Sequence, residues 1–586
     1  MESRRQLDSA RRSRDERELS GLWRWSSIVF LYGCLVLPAQ TSLSKVPSAQ
    51  QLKQLADAER WNDIVLLLEP VPQRSADLDY YLGMALAQLG RLQEARDSLN
   101  AGRRLAPTDP RFPVELAGIA FKQKNYSQTI RLLRQAIPLT PNDGYTNDFL
   151  GTTYFLEGNL ETALKYWNRV GKPVIADVRE DPATHISPAL LDHAFAFSPA
   201  ATLSAQQFLS SQQRIRALGI FPQFHFDLDA RSDGKFDVVF RAHELHGFGD
   251  SKLEALLLFF QGIPFQEVSP QYYNLHRGAI NFGSMVRWDA QKRRIFAQSS
   301  GPFQRSAKFR WALAADLRNE NWVLRDGFTG PAPVLASFNM RHEGATFNLA
   351  SFTSSGFSWS AGAELSHRDF RSIAPAAGSG AVLTPPMLAT GYQLKQQAHL
   401  TSTLWRVPER RFNVTAEAAS DAARLWSQSP LAFEKLTGSL AWHWFPQPQG
   451  DDYETSQQLR AGKTFGQVPF DELFILGLER DNDLPLRAHI GTRDGRKGSA
   501  PLGRDYLLEN WEIDKNSYGN GIVKLQLGPF FDFGKITDPG TSLGSHRWLF
   551  DAGLQAKVRV FGVGLVFSYG KDLRTGNNAF YLSQLE

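Results

Sequence analysis

The chain has 586 residues, 65 Lys and Arg against 60 Asp and Glu, a net charge of +5 and a mean hydropathy of −0.32. That length exceeds one domain. The near-balanced charge, with no long single-sign block, gives no nucleic-acid signal, and the low hydropathy excludes a bundle of membrane helices. Aromatics make up 12%, with 40 Phe and 14 Trp, a supply that suits either a large sheet core or girdles at two membrane interfaces.

The first apolar segment is Trp23–Pro38, with Arg11, Arg12, Arg14 and Arg17 before it and Arg24 at its start. It is short for a bilayer span, and Pro38-Ala39-Gln40 offers a cleavage point after Ala39, so residues 1–39 are expected to be a signal peptide. Its basic region is long and carries acids, which leaves a downstream start open. Cys34, the single cysteine, lies in Leu31-Tyr32-Gly33-Cys34, a loose lipobox in which Tyr32 is bulky. Cleavage after Ala39 would leave a mature chain without a thiol, hence without disulfides.

Residues 48–172 read as a helical repeat. Gly83, Ala117 and Gly151 are 34 apart, as are Ala95, Thr129 and Ala163, and Pro107 and Pro141. This is the tetratricopeptide period, with a degenerate earlier unit over about Gln51–Glu69. Gly83, Ala95, Ala117, Ala136, Gly151 and Ala163 are the candidate packing residues, with Pro107 and Pro141 ending helices. Such arrays resemble concave surfaces for partner peptides. A bare spacer is the plainer alternative.

Residues 173–245 give a strand at Val174–Arg179, helices at Ser187–Phe197 and Ser204–Leu218, and strands at Phe224–Asp229 and Phe236–Ala242. The order β-α-α-β-β, with Arg216-Ala217-Leu218-Gly219-Ile220-Phe221 and the turn at Asp233-Gly234, resembles a POTRA module. The edge strand of such a module can accept a strand from a client.

From residue 246 onward, apolar and polar residues alternate. In Ile522–Lys535, Val523, Leu525, Leu527, Phe531 and Phe533 share one parity, while Lys524, Gln526, Phe530, Asp532 and Gly534 share the other. A soluble sandwich also alternates, but full charges on the inner face fit a wet or plugged lumen. The expectation is a transmembrane antiparallel β-barrel of about sixteen strands over residues 246–586. Expected strands centre near Leu256, Phe338 and Phe347 among others, and Glu479–Gly503 is a long charged loop of the kind that is usually functional.

Three stretches resemble the outer-membrane protein assembly factor (bacterial surface antigen) superfamily. They are Phe470-Asp471-Glu472-Leu473-Phe474-Ile475-Leu476-Gly477, similar to a strand entering a lumen loop; Leu486-Arg487-Ala488-His489, similar to the loop tip; and Asn510-Trp511-Glu512 with Phe530-Phe531-Asp532-Phe533-Gly534, similar to the strands facing it. The resemblance covers about 173–586. It implies that Arg487 reaches into the lumen and pairs with Glu512 and Asp532, both inward by parity. It places the seam between Lys252–Gln261 and Asn578–Ser583. Two departures stand out: Ala488 and His489 replace a glycine and an aromatic at the tip, and the chain ends Gln584-Leu585-Glu586 without a terminal aromatic.

The resemblance implies outer-membrane protein assembly or polypeptide translocation. The helical array and POTRA module would lie in the periplasm and meet client polypeptides or partner subunits, and the barrel would meet the lipid bilayer. A two-partner-type secretion transporter, an exopolysaccharide export channel that joins a tetratricopeptide array to a barrel, and an adhesive anchor are the alternatives. No enzyme motif, metal-spaced cluster or cofactor signature is expected.

Overall fold

The computed structural model describes residues 47–584 except 250–255, 257–258, 261, 329–331, 377–382, 448–449, 520–522, 540, 542, 546 and 561–562. The expected signal peptide and Cys34 lie outside the described residues. Among those described, no helix is long and apolar enough to cross a membrane. The chain divides into two compact units, residues 1–179 with 198–205 and 226–239, and residues 180–197 with 206–225 and 240–586.

The first unit carries helices α1 (Ala49–Asp57), α2 (Trp61–Leu68), α3 (Ala76–Gln88), α4 (Leu92–Leu105), α5 (Arg111–Lys122), α6 (Tyr126–Ala136), α7 (Gly144–Leu156) and α8 (Leu160–Trp167). Side chains of Ser48, Ser75, Asn125, Asp143 and Asn159 accept from the first free N–H groups of their helices. Small residues let paired helices touch. A Cβ on Gly83 would sit 2.5 Å from Leu99 Cγ, and one on Gly151 would sit 2.5 Å from Trp167 Cδ1. Ala95, Ala117, Ala136 and Ala163 are fully buried. Pro107 and Pro141, by contrast, are exposed in the turns after α4 and α6, two and five residues past the helix ends at Leu105 and Ala136, and are not part of the buried packing between helices. Along the array, the Tyr80 hydroxyl donates to Glu115 Oε1 at 3.4 Å. Burial pushes the Glu115 carboxyl above the usual range, against the pull of Tyr80 and Lys122.

Strands β1 (Ile175–Glu180), β2 (Gln223–Ala230) and β3 (Phe236–His243) form a sheet of order β1-β3-β2, with α9 (Pro188–Ala194) and α10 (Ala205–Leu218) between β1 and β2 in sequence. This is the β-α-α-β-β order of a POTRA module. Gly219 closes α10 at a φ of +68°, a conformation that favours glycine.

The second unit is dominated by a barrel sheet of eighteen strand segments. The wall begins with β4 (Glu267–Val268) and β5 (Gln271–Leu275), which both pair with β6 (Ile280–Arg287). It continues antiparallel through β7 (Lys292–Phe303), β8 (Ser306–Arg325), β9 (Val334–Ser351), β10 (Phe357–Pro375), β11 (Gly391–Val407), β12 (Phe412–Trp426), β13 (Leu431–Trp444) and β14 (Tyr453–Gly466). Strand β14 then pairs directly with β19 (Asp505–Gly519), followed by β20 (Val523–Thr537), β21 (Leu549–Val560), β22 (Val563–Asp572) and β23 (Asn578–Gln584). The ring's closing neighbours are β23 and the dipeptide β4. The segments β16 (Thr492–Arg493) and β17 (Arg496–Lys497) are arms of a small hairpin off the wall, and β15 (Phe474–Ile475) pairs with β18 (Leu502–Gly503) apart from it.

The outer face is greasy. Leu313, Phe347, Leu365, Trp405 and Leu554 are each at least half exposed, and Leu313, Leu365 and Leu554 have the parity opposite the inward Asp316, Arg368 and Asp551 of their own strands. An apolar belt around a closed wall is what a bilayer covers. The inner face holds Arg368 and Asp532 with no exposure at all.

Three strand expectations need correcting. Around Leu256 the described residues Leu256, Phe259 and Phe260 are helical, and the wall starts instead near Glu267. An unbroken apolar run fits helix or strand equally well by periodicity. Phe338 and Phe347 lie on one 18-residue strand, because the intervening Arg341-His342-Glu343 belongs to strand β9, in register with β8 and β10. Phe470–Glu472 is a 3-10 turn, and Phe474–Ile475 alone of that stretch is extended, so this segment has already left the wall.

Candidate functional site

Residues 467–504 leave the barrel between β14 and β19 and fold back against its inner wall. Phe470 is held edge-on to Trp322 and Phe338, at centroid distances of 4.9 and 4.8 Å. Both rings are on the lumen side of β8 and β9, where they build an apolar core with Leu324, Met340 and Leu473. Around this core the loop is clamped at three places.

The first clamp is Arg487. Its Nε and Nη2 donate to the two oxygens of Asp532, at 2.8 and 2.5 Å, and Nη1 donates to Glu512 and, at 2.9 Å, to Gln555 Oε1. The Nε–Nη2 fork on one carboxylate is the strong bidentate form. The guanidinium lies 3.9 Å over the Phe530 ring, a cation–π contact. Asn510 Nδ2 adds a bond to Asp532 Oδ1 at 2.7 Å, and Lys557 reaches Glu512 and Asp514 at 2.7 and 2.6 Å. The backbone is pressed equally close: a Cβ on Gly570 would come within 2.5 Å of the Arg487 carbonyl oxygen. Leu486 is fully buried among Leu476, Leu508 and Ile536.

Beside it, the Ala488 N–H and the His489 ring both meet Asp551 Oδ2, at 2.6 and 3.1 Å. The other candidates divide by face. Phe530 and Gly534 look inward at the loop, with Leu476 Cδ1 3.2 Å from where a Gly534 Cβ would be. Phe531 looks outward, in a row with Phe533 and Phe550.

The second clamp was not singled out from the sequence. Arg368 Nη1 donates to Asp471 at 2.7 Å, while Lys395 and Gln393 both donate to Glu472 at 3.1 Å. These partners sit on β10 and β11, on a different stretch of wall from the Arg487 partners. The third lies near the seam. Asp481 accepts from Arg287 at 2.8 Å and also from Arg294, and Arg287 Nε donates to Glu267 of β4 at 2.8 Å. Lys497 donates to Glu320 at 2.7 Å, and Arg480 Nη1 donates to the Phe265 carbonyl at 2.7 Å. Gln584 of β23 reaches Glu267 at 3.4 Å, so this clamp touches both sides of the closing pair.

Beside the loop lies a polar cavity of about 590 Å³, lined by Glu364, Lys395, Glu417, Lys435, Asp471 and Asp481 among others. The sequence signal for the missed clamps was parity. Glu267, Arg287, Arg368 and Lys395 fall on inner-face positions, where an unpaired charge needs a partner.

No family model and no curated relative matches the sequence. By fold the chain is similar to BamA from Haemophilus ducreyi lacking POTRA domains 1–3, at 10% identity over 70% of this chain and 83% of that one, with a TM-score of 0.38. It is similar to CdiB from Escherichia coli at 11% identity over 71% and 75% of the two chains, with a TM-score of 0.45. Over 21% of its length it is similar to MamA, at 21% identity over 72% of that chain and a TM-score of 0.20. Overlaps this loose carry no functional argument, which rests on the side chains.

Proposed function

We propose that the protein is an outer-membrane POTRA-barrel machine, not an enzyme, that inserts client β-barrels or passes polypeptide across the membrane. Its helical array and three-stranded module would lie in the periplasm and receive clients or partner subunits there. The observation that carries this reading is the loop clamped across the lumen at Arg487, Asp471–Glu472 and Asp481. A passive pore for exopolysaccharide gains nothing from an occupied lumen and three sets of buried ion pairs. A machine that must stay sealed while one seam opens does gain from them.

The seam supports the same reading. Along the ring, neighbouring long strands share ten or more paired residues, as β8 and β9 do, while β4 offers β23 a dipeptide. A short ladder has few hydrogen bonds to break, and the Asp481 clamp lies directly behind it. No nucleotide site is needed, because the client's own folding free energy can drive its release into the membrane.

Depletion in the native host tests this. Loss of one or more barrels or of a secreted polypeptide from the outer membrane is the expected result. Loss of a surface glycan alone, with every barrel at its normal level, would overturn it in favour of the export channel.

A further inference from the structure

We propose that His489, Asp551 and Asp572 form a binding site for one divalent transition-metal cation, of the zinc or manganese class, that ties the loop tip to the barrel wall. His489 lies on the loop, and the two aspartates are directly opposite each other on β21 and β22. All three side chains are buried, with 1% exposure or less, and one ligand atom from each lies within 4.8 Å of the other two.

The hydrogen bonds define which atoms are free. Asp551 Oδ2 is 3.1 Å from His489 Nδ1. A carboxylate only accepts, so Nδ1 carries the proton and donates, which leaves Nε2 as the ring atom through which this histidine can ligate a cation. His489 Nε2 and Asp572 Oδ2 are 3.9 Å apart. The gap is too wide for a hydrogen bond. It is wide enough for a metal ion with bonds of about 2.0–2.2 Å to each atom. A histidine whose Nδ1–H is fixed by a carboxylate, leaving Nε2 for the cation, is the usual form of a metal-ligating imidazole.

A second observation points the same way. Asp551 Oδ1 is buried and has no hydrogen-bond partner, although its residue has no exposure at all. A buried carboxylate oxygen left bare is costly unless a cation satisfies it. Among the described residues, His489 is the sole basic group within ion-pair distance of either aspartate. Asp572 also caps its own turn through Arg574 N, at 2.9 Å, and Thr575 Oγ1, at 2.5 Å. Those contacts hold the carboxylate in place and supply no compensating charge. A dication would.

The test uses the full chain without a histidine tag, folded in detergent and stripped with chelator, titrated separately with zinc chloride and with manganese chloride. The expected result is one equivalent bound for at least one of the two ions, with a rise in the barrel's unfolding temperature on binding. His489→Gln keeps a donor for Asp551 but a poor ligand towards Asp572, and Asp572→Asn removes the second ligand charge. Each is expected to weaken binding at least tenfold, with folding checked by heat-modifiable gel mobility. Absence of stoichiometric binding to the wild type overturns the proposal, whatever the variants do. So does equal binding by either folded variant, which would assign the ion to surface histidines.

Discussion

Replacing Arg487 by alanine removes the fork on Asp532, the bonds to Glu512 and Gln555 and the contact with Phe530. Asp532 has no exposure and would keep only Asn510 Nδ2 and the backbone N–H of residue 487. Stranding a buried charge in this way costs roughly 3–5 kcal/mol. The loop is held elsewhere, however. Asp481 sits between Arg287 and Arg294, and Arg368 holds Asp471 with no exposure of its own. If either remaining clamp retains about 3 kcal/mol, the loop leaves the lumen less than about 1% of the time, since each 1.4 kcal/mol is tenfold. Single-channel recording in planar bilayers should therefore show Arg487→Ala nearly as closed as the wild type. Adding Asp481→Asn should raise the open fraction by about a hundredfold. Full opening by Arg487→Ala alone, equal to deletion of residues 479–503, would refute the three-clamp reasoning. So would a double variant no more open than the single one.

Further outcomes follow from the same contacts. Gly570→Val would push a side chain into the Arg487 carbonyl and lift the tip off the wall, and loop proteolysis should rise while the barrel stays folded. Gly151→Ala would force a Cβ against Trp167 and destabilise the helical unit by about 1–3 kcal/mol, read as a lower unfolding midpoint by circular dichroism. Glu115 has its folded pKa raised from 4.5 by burial, so the folded array binds the extra proton. Its contribution is then fully present below pH 4.5 and is lost as pH rises through the raised value. Glu115→Gln should stabilise the helical unit at pH 7–8 and flatten its pH dependence. A variant that is less stable at pH 8 would contradict that sign.

Period carried most of the legible fold. The 34-residue spacing of Gly83, Ala117 and Gly151 marks where helices must approach closely, and only small residues allow that. Alternation placed Asp532 and Phe530 on the inner face and Phe531 on the outer one, because a strand's faces are fixed by parity. What parity cannot supply is the partner across the barrel. Arg368 and Asp471 are 103 residues apart in sequence and 2.7 Å apart in space, and nothing local links them. The Arg487 contacts became readable only through the family resemblance, since a loop arginine is by default solvated. The first wall strand was misplaced because an unbroken apolar run at Leu256-Leu257-Leu258-Phe259-Phe260 has no period to read. The true start, Glu267–Leu275, is interrupted and polar.

The central claim is that the Arg487 loop lies inside the barrel and not on the cell surface. Residues 477–503 contain Arg480, Arg487, Arg493, Arg496 and Lys497, five tryptic sites. Trypsin treatment of the folded protein in detergent, read by mass spectrometry, should leave the sites after Arg480, Arg487 and Lys497, the ones held against the wall, intact while the exposed turns, the hairpin tip at Arg496 included, are cut. Rapid cleavage after Arg487 in a barrel that remains folded would contradict the account.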